Sequence, residues 1–495
     1  MRINKVTLRI FALCGVLVLV AASLANLIIR DSDPFKPSKE ANFSNLDSYY
    51  KQNLKWRDCY SEFQCAMYKV PINYEDIALG DFNIAVMKHS APDAIGNLVI
   101  NPGGPGGSGI DYAYSYQDVF TPKITNKFNL IGFDPRGVSR SAPIKCLNDA
   151  ETDSSYASDS YPENDAEMAE LRSDSAKYAK NCSNDNKYLK YYGTANAARD
   201  MDILRALLGD EKLNFLGKSY GTYLGTLYAK LFPNNVGRFV LDGAVDPTLS
   251  SMQQSLQQAV GFDEAFKSFA DSCLSYAECV LTKDYLNQLR SKLSEIREKP
   301  IKVGERKLTE SLAMYGIAMG LYDKELGWPE LRSALKELFA GKGKALLSMA
   351  DAYTGRDANG NYQSNEADAI SVISCNDFPV SRIDFKTTTN AAPLFGKYVA
   401  YGDITCEYLP HGKFELVDGL ININSPTLVI GTTNDPATPY NWAVKLSRLL
   451  NNSILISLNS DGHTGYSRGS ACVDQVVEKY LISGVIPAQN LACSA

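Results

Sequence analysis

The chain has 495 residues, 45% hydrophobic and 21% charged, with a formal net charge of −6. That length can bury a large core and hold two or three domains, and the composition is that of an ordinary globular protein. The mildly acidic balance excludes the basic footprint of a nucleic-acid binder. The first element is a targeting segment. Arg2, Lys5 and Arg9 form a basic stretch, Ile10 to Ala25 is apolar, and Ser23-Leu24-Ala25 offers small residues to a signal peptidase. Residues 1–25 therefore read as a signal peptide, and the protein is expected to be exported, either secreted or associated with the cell envelope. The rival is an uncleaved anchor, since the apolar run continues through Leu27-Ile28-Ile29 and reaches about 20 residues. Membrane contact is expected only in that case. Residues 31–50 are polar, carry Pro34 and Pro37, and read as a linker.

From residue 51 to 247 strand and helix patterns alternate. Asn97-Leu98-Val99-Ile100 is a predicted strand running into the glycine-rich Asn101–Gly109. Phe128 to Phe133 is a second, running into Asp134-Pro135-Arg136-Gly137. The polar stretch 148–165 reads as a surface loop, and Ala195 to Leu208 as a helix. Leu213-Asn214-Phe215-Leu216 is a short strand before Gly217-Lys218-Ser219-Tyr220-Gly221, and a helix follows. Arg238 to Leu241 is the next strand, ending at Asp242-Gly243. Residues 248–418 show mainly helical periodicity. Strand logic returns in 419–495, with strands at 426–431 and 454–458 and helices from about 440 and 470. Alternating strands and helices predict an α/β fold: a mostly parallel sheet covered on both faces, with 248–418 inserted as a helical cap.

A serine hydroxyl needs a base, and the base needs an orienting carboxylate. Ser219 sits in G-x-S-x-G, the pattern of a sharp strand-to-helix turn that exposes a nucleophile. In such sheets working residues gather past the carboxyl ends of strands. Asp435 and His463 both stand there, and the order Ser219, Asp435, His463 is that of an α/β-hydrolase triad. The other two histidines compete little: His89 follows an early strand-like run, and His411 sits in a Pro-His-Gly turn of the inserted block. The glycine loop would bring one backbone N–H, from Gly103 or Gly104, to a developing oxyanion, and Tyr220 would bring the other. Arg136 is expected to brace the loop.

Ten cysteines lie beyond Cys14, an even number in an exported chain, which suggests disulfides. Spacing does not fix the connectivity; pairing chain neighbours gives 59–65, 146–182, 273–279, 375–406 and 472–493. No Cys-x-x-Cys occurs and only three histidines exist, so no metal site is expected.

Taken together, the glycine loop, Phe133-Asp134-Pro135-Arg136-Gly137, Gly217-Lys218-Ser219-Tyr220-Gly221-Thr222, Val240-Leu241-Asp242-Gly243 and Asp435-Pro436-Ala437-Thr438-Pro439 resemble exported tripeptidyl aminopeptidases. These are relatives of prolyl iminopeptidase within the α/β hydrolases. The N-terminal segment 56–74 and the C-terminal run 426–493 are similar to the same family. Pro102 stands where the prolyl iminopeptidase loop typically begins with histidine, a change shared by the exported tripeptidyl members. The resemblance implies release of di- or tripeptides from free N-termini through an acyl-enzyme, without a cofactor. Such an enzyme needs carboxylates for the substrate's α-ammonium, and Asp242, Asp246 and Asp377 are candidates. Two other readings stay open: an exported carboxylesterase or lipase on the same fold, and a non-catalytic binding module.

Overall fold

The computed structural model describes residues 34–37 and 43–494. The expected signal peptide lies outside the described residues. No helix among the described residues is long and apolar enough to cross a membrane.

One ten-stranded sheet organises the chain. Its strands are β1 (Arg57–Cys59), β2 (Phe63–Pro71), β3 (Asp81–His89), β4 (Gly96–Asn101), β5 (Phe128–Phe133), β6 (Leu213–Lys218), β7 (Val236–Asp242), β10 (Thr427–Asn434), β11 (Ser453–Asp461) and β12 (Leu491–Ser494). The spatial order is β1-β2-β3-β5-β4-β6-β7-β10-β11-β12. β1 to β3 form an antiparallel meander joined antiparallel to β5, and every pairing from β5 onward is parallel.

Alternation along the strands explains the two cores. Val99, Ile131, Phe215, Phe239 and Val429 face one layer with the helices Thr194–Leu207, Tyr220–Leu231 and Tyr440–Leu449. Ile100, Leu130, Leu216, Val240 and Ile430 face the other, under Gly109–Tyr114 and Ala471–Ser483. Strands buried on both faces read as short apolar runs, as parallel strands should. Between β7 and β10 the chain is mainly helical, with one small hairpin, β8 (Ile301–Val303) and β9 (Arg306–Leu308). Residues 259–350 and 392–395 enclose a separate apolar core. The helix Glu366–Asp377 differs from its neighbours in the insertion. Its Ala369, Val372 and Ile373 pack into the sheet-side core, so this part of 248–418 belongs to the sheet as much as to the cap.

Three local expectations change. Residues 43–50 are not a free linker: Tyr49 is fully buried with its hydroxyl on Asp81, and the Tyr50 hydroxyl donates to Asp202 at 3.1 Å. Apolar area on two tyrosines outweighs the polar composition. The stretch 148–165 is not a loop throughout; Asp149–Ala157 is a helix started by a capping box between Asn148 and Glu151. Arg136 does not brace the glycine loop. It is wholly buried, donates to both Asp200 oxygens at 2.7 and 2.5 Å, and caps the carbonyls of Pro71, Ile72 and Tyr191. Asp134 does the bracing instead. It accepts from Ser108 Oγ at 2.5 Å and from the Ile110 and Arg140 N–H groups, just past the glycines.

The cysteines pair as chain neighbours: 59–65, 146–182, 273–279, 375–406 and 472–493. Five bridges suit a chain that matures in an oxidising compartment. The 146–182 and 375–406 bridges span 36 and 31 residues, and loops of that size are each worth about 3–4 kcal/mol by chain entropy. Reductant should therefore lower the melting temperature by many degrees; an unchanged melt would show that the bridges contribute nothing. Arg136→Met should cost about 3–5 kcal/mol in urea unfolding, because it strands the buried Asp200 carboxylate.

Candidate active site

The sheet register sets the site. Lys218 pairs with Asp242 and Asp242 with Ile430, so β6 and β7 end at one level, while β10 and β11 run on together to the pair Asn434 and Asp461 at the same edge. Ser219 leaves the end of β6 at φ 55°, ψ −126° and begins the helix Tyr220–Leu231. A non-glycine residue at positive φ costs about 1–3 kcal/mol and persists only when its surroundings enforce it. They do so here. The Ser219 N–H donates to Asp242 O at 2.8 Å. A side chain on Gly217 would begin 2.4 Å from Gly221 O, and one on Gly221 would begin 2.8 Å from Asn101 Oδ1. The two glycines of G-x-S-x-G are therefore required by close approach.

The glycine loop lies against this turn. A side chain on Gly103 would begin 2.9 Å from Ser219 Cβ and 3.3 Å from Tyr220 N. The Gly103 N–H donates to Asn101 Oδ1 at 3.1 Å. Gly103 serves by letting the backbone pass the serine.

Asp435 follows β10 and is almost fully buried. Its Oδ1 accepts from the Ala437 and Thr438 N–H groups at 2.9 and 2.8 Å; its Oδ2 accepts from Thr438 Oγ1 at 3.0 Å and Thr464 N–H at 3.1 Å. Both oxygens lie 2.9 Å from His463 Nδ1. Facing a carboxylate, Nδ1 carries the proton, which leaves Nε2 as the acceptor. The His463 N–H donates to Tyr322 O at 2.9 Å, and the Tyr322 ring stands edge-on to the imidazole at 5.2 Å. Ser219 and His463 share one anchor. The serine bonds to Asp242, and His463 Cε1 lies 3.3 Å from where a side chain on the next residue, Gly243, would begin. The other histidines are elsewhere: His89 is buried against the Tyr116 ring at 4.0 Å, and His411 is exposed beside Phe414.

The three carboxylates expected to meet an ammonium are placed otherwise. Asp242 accepts from Gly465 and Tyr466 N–H at 2.7 and 3.0 Å and lies 3.7 Å from Lys218 Nζ. Asp246 closes a turn on Thr248. Backbone and hydroxyl donors thus occupy both. Asp377 accepts from Thr194 N–H and Oγ1 at 2.6 and 2.5 Å, and Thr194 Oγ1 also meets the Tyr220 hydroxyl. The chain Tyr220–Thr194–Asp377 steadies the residue after Ser219. A group not legible in the sequence is Glu366, whose Oε1 lies 3.3 Å from where a side chain on Gly104 would begin. Ser364-Asn365-Glu366 reads only as a helix start.

Burial pushes the Asp377 carboxyl up to about 7, against the lowering effect of its Thr194 hydrogen bonds. Unfolded aspartate titrates near 4, so between about pH 4 and 7 the folded state binds the extra proton. Stability from this group is therefore lost as pH rises through that window. Relative to Asp377→Asn, the wild type should lose up to about 4 kcal/mol between pH 4 and 7 in urea unfolding; parallel pH profiles would refute the assignment.

Comparison with known proteins agrees with this architecture. The model of the alpha/beta hydrolase fold matches residues 96–469. The chain is 34% identical over 484 residues to "Serine protease Hip1" of Mycobacterium tuberculosis, covering 89% of this chain and 91% of that one. It is 33% identical over 457 residues to "Carboxylesterase B" of the same organism, covering 87% and 86%. It is 28% identical over 488 residues to "Tripeptidyl aminopeptidase" of Streptomyces lividans, covering 90% and 87%. The chain is a serine hydrolase, and it belongs to the α/β hydrolase fold family, among its serine peptidases.

Proposed function

We propose that the protein is an exported serine peptidase that removes two or three residues from peptides with a free N-terminus. The observation that carries this reading is the Asp435–His463 pair, held by four further donors at the same sheet edge as a serine in an enforced positive-φ turn. In this reading Ser219 Oγ attacks the scissile carbonyl while His463 Nε2 takes its proton. The Tyr220 and Gly104 N–H groups stabilise the oxyanion where it develops. The protonated His463, balanced by Asp435, then gives its proton to the leaving amine, and water repeats the cycle on the acyl-enzyme. The tripeptidyl aminopeptidases among the relatives support a peptide substrate. The disulfides and the basic-then-apolar N-terminus support export.

A second reading, a carboxylesterase, is favoured by the name of one relative. Both use the same acyl chemistry and differ in what the site demands of the acyl group. The test is hydrolysis of a tripeptidyl coumarylamide with a free or an acetylated N-terminus, beside a simple ester. The peptidase reading expects cleavage of the free form above the acetylated one. Ser219→Ala should lower kcat by about 10⁴-fold or more, and Asp435→Asn by about 10⁴-fold. Brisk ester cleavage without amide cleavage would move the protein to the esterase reading. Retained amide hydrolysis in Ser219→Ala would remove the serine from the reaction.

A further inference from the structure

We propose that Glu366 and the aromatic cavity beside it form the subsite for the first residue of the substrate. The carboxylate receives the α-ammonium, and the cavity receives a large apolar or aromatic side chain. This rests on the peptidase reading and deepens it.

Placement comes first. Glu366 opens the helix Glu366–Asp377 and lies along the glycine loop: its Oε1 approaches Gly104, and its Cα and Cγ lie 3.1 and 3.2 Å from where a side chain on Gly106 would begin. Gly103, against Ser219, is one peptide unit away, about 3.8 Å. A two- or three-residue acyl group spans about 7–10 Å. With its carbonyl on Ser219, its amino end can therefore reach Glu366.

The carboxylate is also unclaimed. The other buried acids of this region are satisfied: Asp368 by Cys146 N–H and the Tyr178 hydroxyl, Asp403 by Ser251 and Ser381, and Glu310 by Tyr161, Lys397 and Tyr398. Among the described residues, neither a hydrogen bond nor a cation meets the Glu366 oxygens. Burial alone pushes this carboxyl above its ordinary range. A half-buried carboxylate without partners is unfavourable, and an ammonium placed there offsets the cost.

Its surroundings suit that ammonium. Glu366 is close enough to the Tyr156, Tyr322 and Tyr353 hydroxyls to oppose their ionisation. Tyr322 links this cluster to His463, and its ring lies 5.9 Å from that of Tyr353. Hydroxyl oxygens beside the carboxylate can accept from a bound ammonium as well. Tyr156, Tyr315 and Tyr353, with Phe262, Met314 and Phe395, line a cavity of about 240 Å³. That is below the ~300–1,000 Å³ of a pocket for a drug-sized ligand and suits one large side chain.

The experiment uses coumarylamides of Phe-Ala-Ala and Gly-Ala-Ala, each free and acetylated, and acetyl-Lys-Ala-Ala. Wild type is expected to prefer the free N-terminus and phenylalanine. Glu366→Gln should raise KM for free Phe-Ala-Ala about 30- to 100-fold and bring the free-to-acetylated ratio close to one, with part of the preference restored in Glu366→Asp. Ala318→Trp, which fills the cavity from its wall, should lower the Phe-over-Gly preference about 10-fold while keeping the free-to-acetylated ratio. Thermal melts report whether each variant is folded, and Glu366→Asp and Ala318→Trp carry the test if the glutamine variant is not. A free-amine preference that persists in folded Glu366→Gln or is not restored at all in Glu366→Asp would overturn the ammonium site. So would Glu366-dependent cleavage of acetyl-Lys-Ala-Ala, which would make the bound cation a side chain. An unchanged Phe-over-Gly preference in Ala318→Trp would overturn the cavity assignment. Equal cleavage of free and acetylated peptides by wild type is a different result: the N-terminal reading itself would fall.

Discussion

Asp242 is the constraint on which the site depends. It ends β7, the strand between the serine strand β6 and the aspartate strand β10. Its carbonyl accepts the Ser219 N–H and so fixes the turn that exposes the hydroxyl. Its carboxylate accepts two N–H groups from Gly465 and Tyr466, two and three residues past His463. One buried residue thus holds both the turn of the serine and the loop of the histidine. Lys218 completes the arrangement: its Nζ donates to Tyr466 O at 2.7 Å and lies near the Asp242 carboxylate. Burial lowers the Lys218 pKa, and the Asp242 carboxylate opposes that shift only in part. The variable position of G-x-S-x-G is here a tie between strand and histidine loop.

Much of this was legible in the sequence. The serine turn carries its own glycines, and those glycines answer close backbone contacts that the sequence alone implies. The strands that position Asp435 and His463 are short apolar runs followed by turn residues. Sheet geometry brings strand ends together whatever lies between, so the order of the three residues could be read across an insertion of some 170 positions. The chain-neighbour pairing of cysteines follows from the same economy: short loops close at little entropic cost.

The remainder failed for identifiable reasons. Asp242 and Asp246 were candidates because they follow a strand, but backbone N–H groups claim such carboxylates, and only tertiary structure shows which ones. Proximity in sequence points Arg136 at the glycine loop; its guanidinium instead finds Asp200, 64 residues away, and three carbonyls. The helix Asp149–Ala157 was missed although Asn148 and Glu151 form a capping box, because its residues are polar and periodicity had nothing to mark. Tyr49 was overlooked for the opposite reason: one buried ring outweighs a polar neighbourhood.

The same asymmetry explains why substrate selection is harder to read than chemistry. The residues proposed to carry acyl transfer follow strand ends, whose positions follow from the sheet. The groups proposed to meet the rest of the substrate come mainly from the insertion, whose helices have an apolar core of their own. Glu366 is the exception that joins the two. It begins a helix whose buried face packs with the sheet, so its carboxylate is fixed relative to the glycine loop. Of the tyrosines beside it, Tyr156 belongs to the helix Asp149–Ala157, which precedes the insertion, Tyr353 to the cap helix Lys344–Thr354, and Tyr322 to the short segment after Leu321. In the proposed reading the charged group is tied to the sheet through its helix, whereas the side-chain cavity is shared between the insertion and the segment around Tyr156.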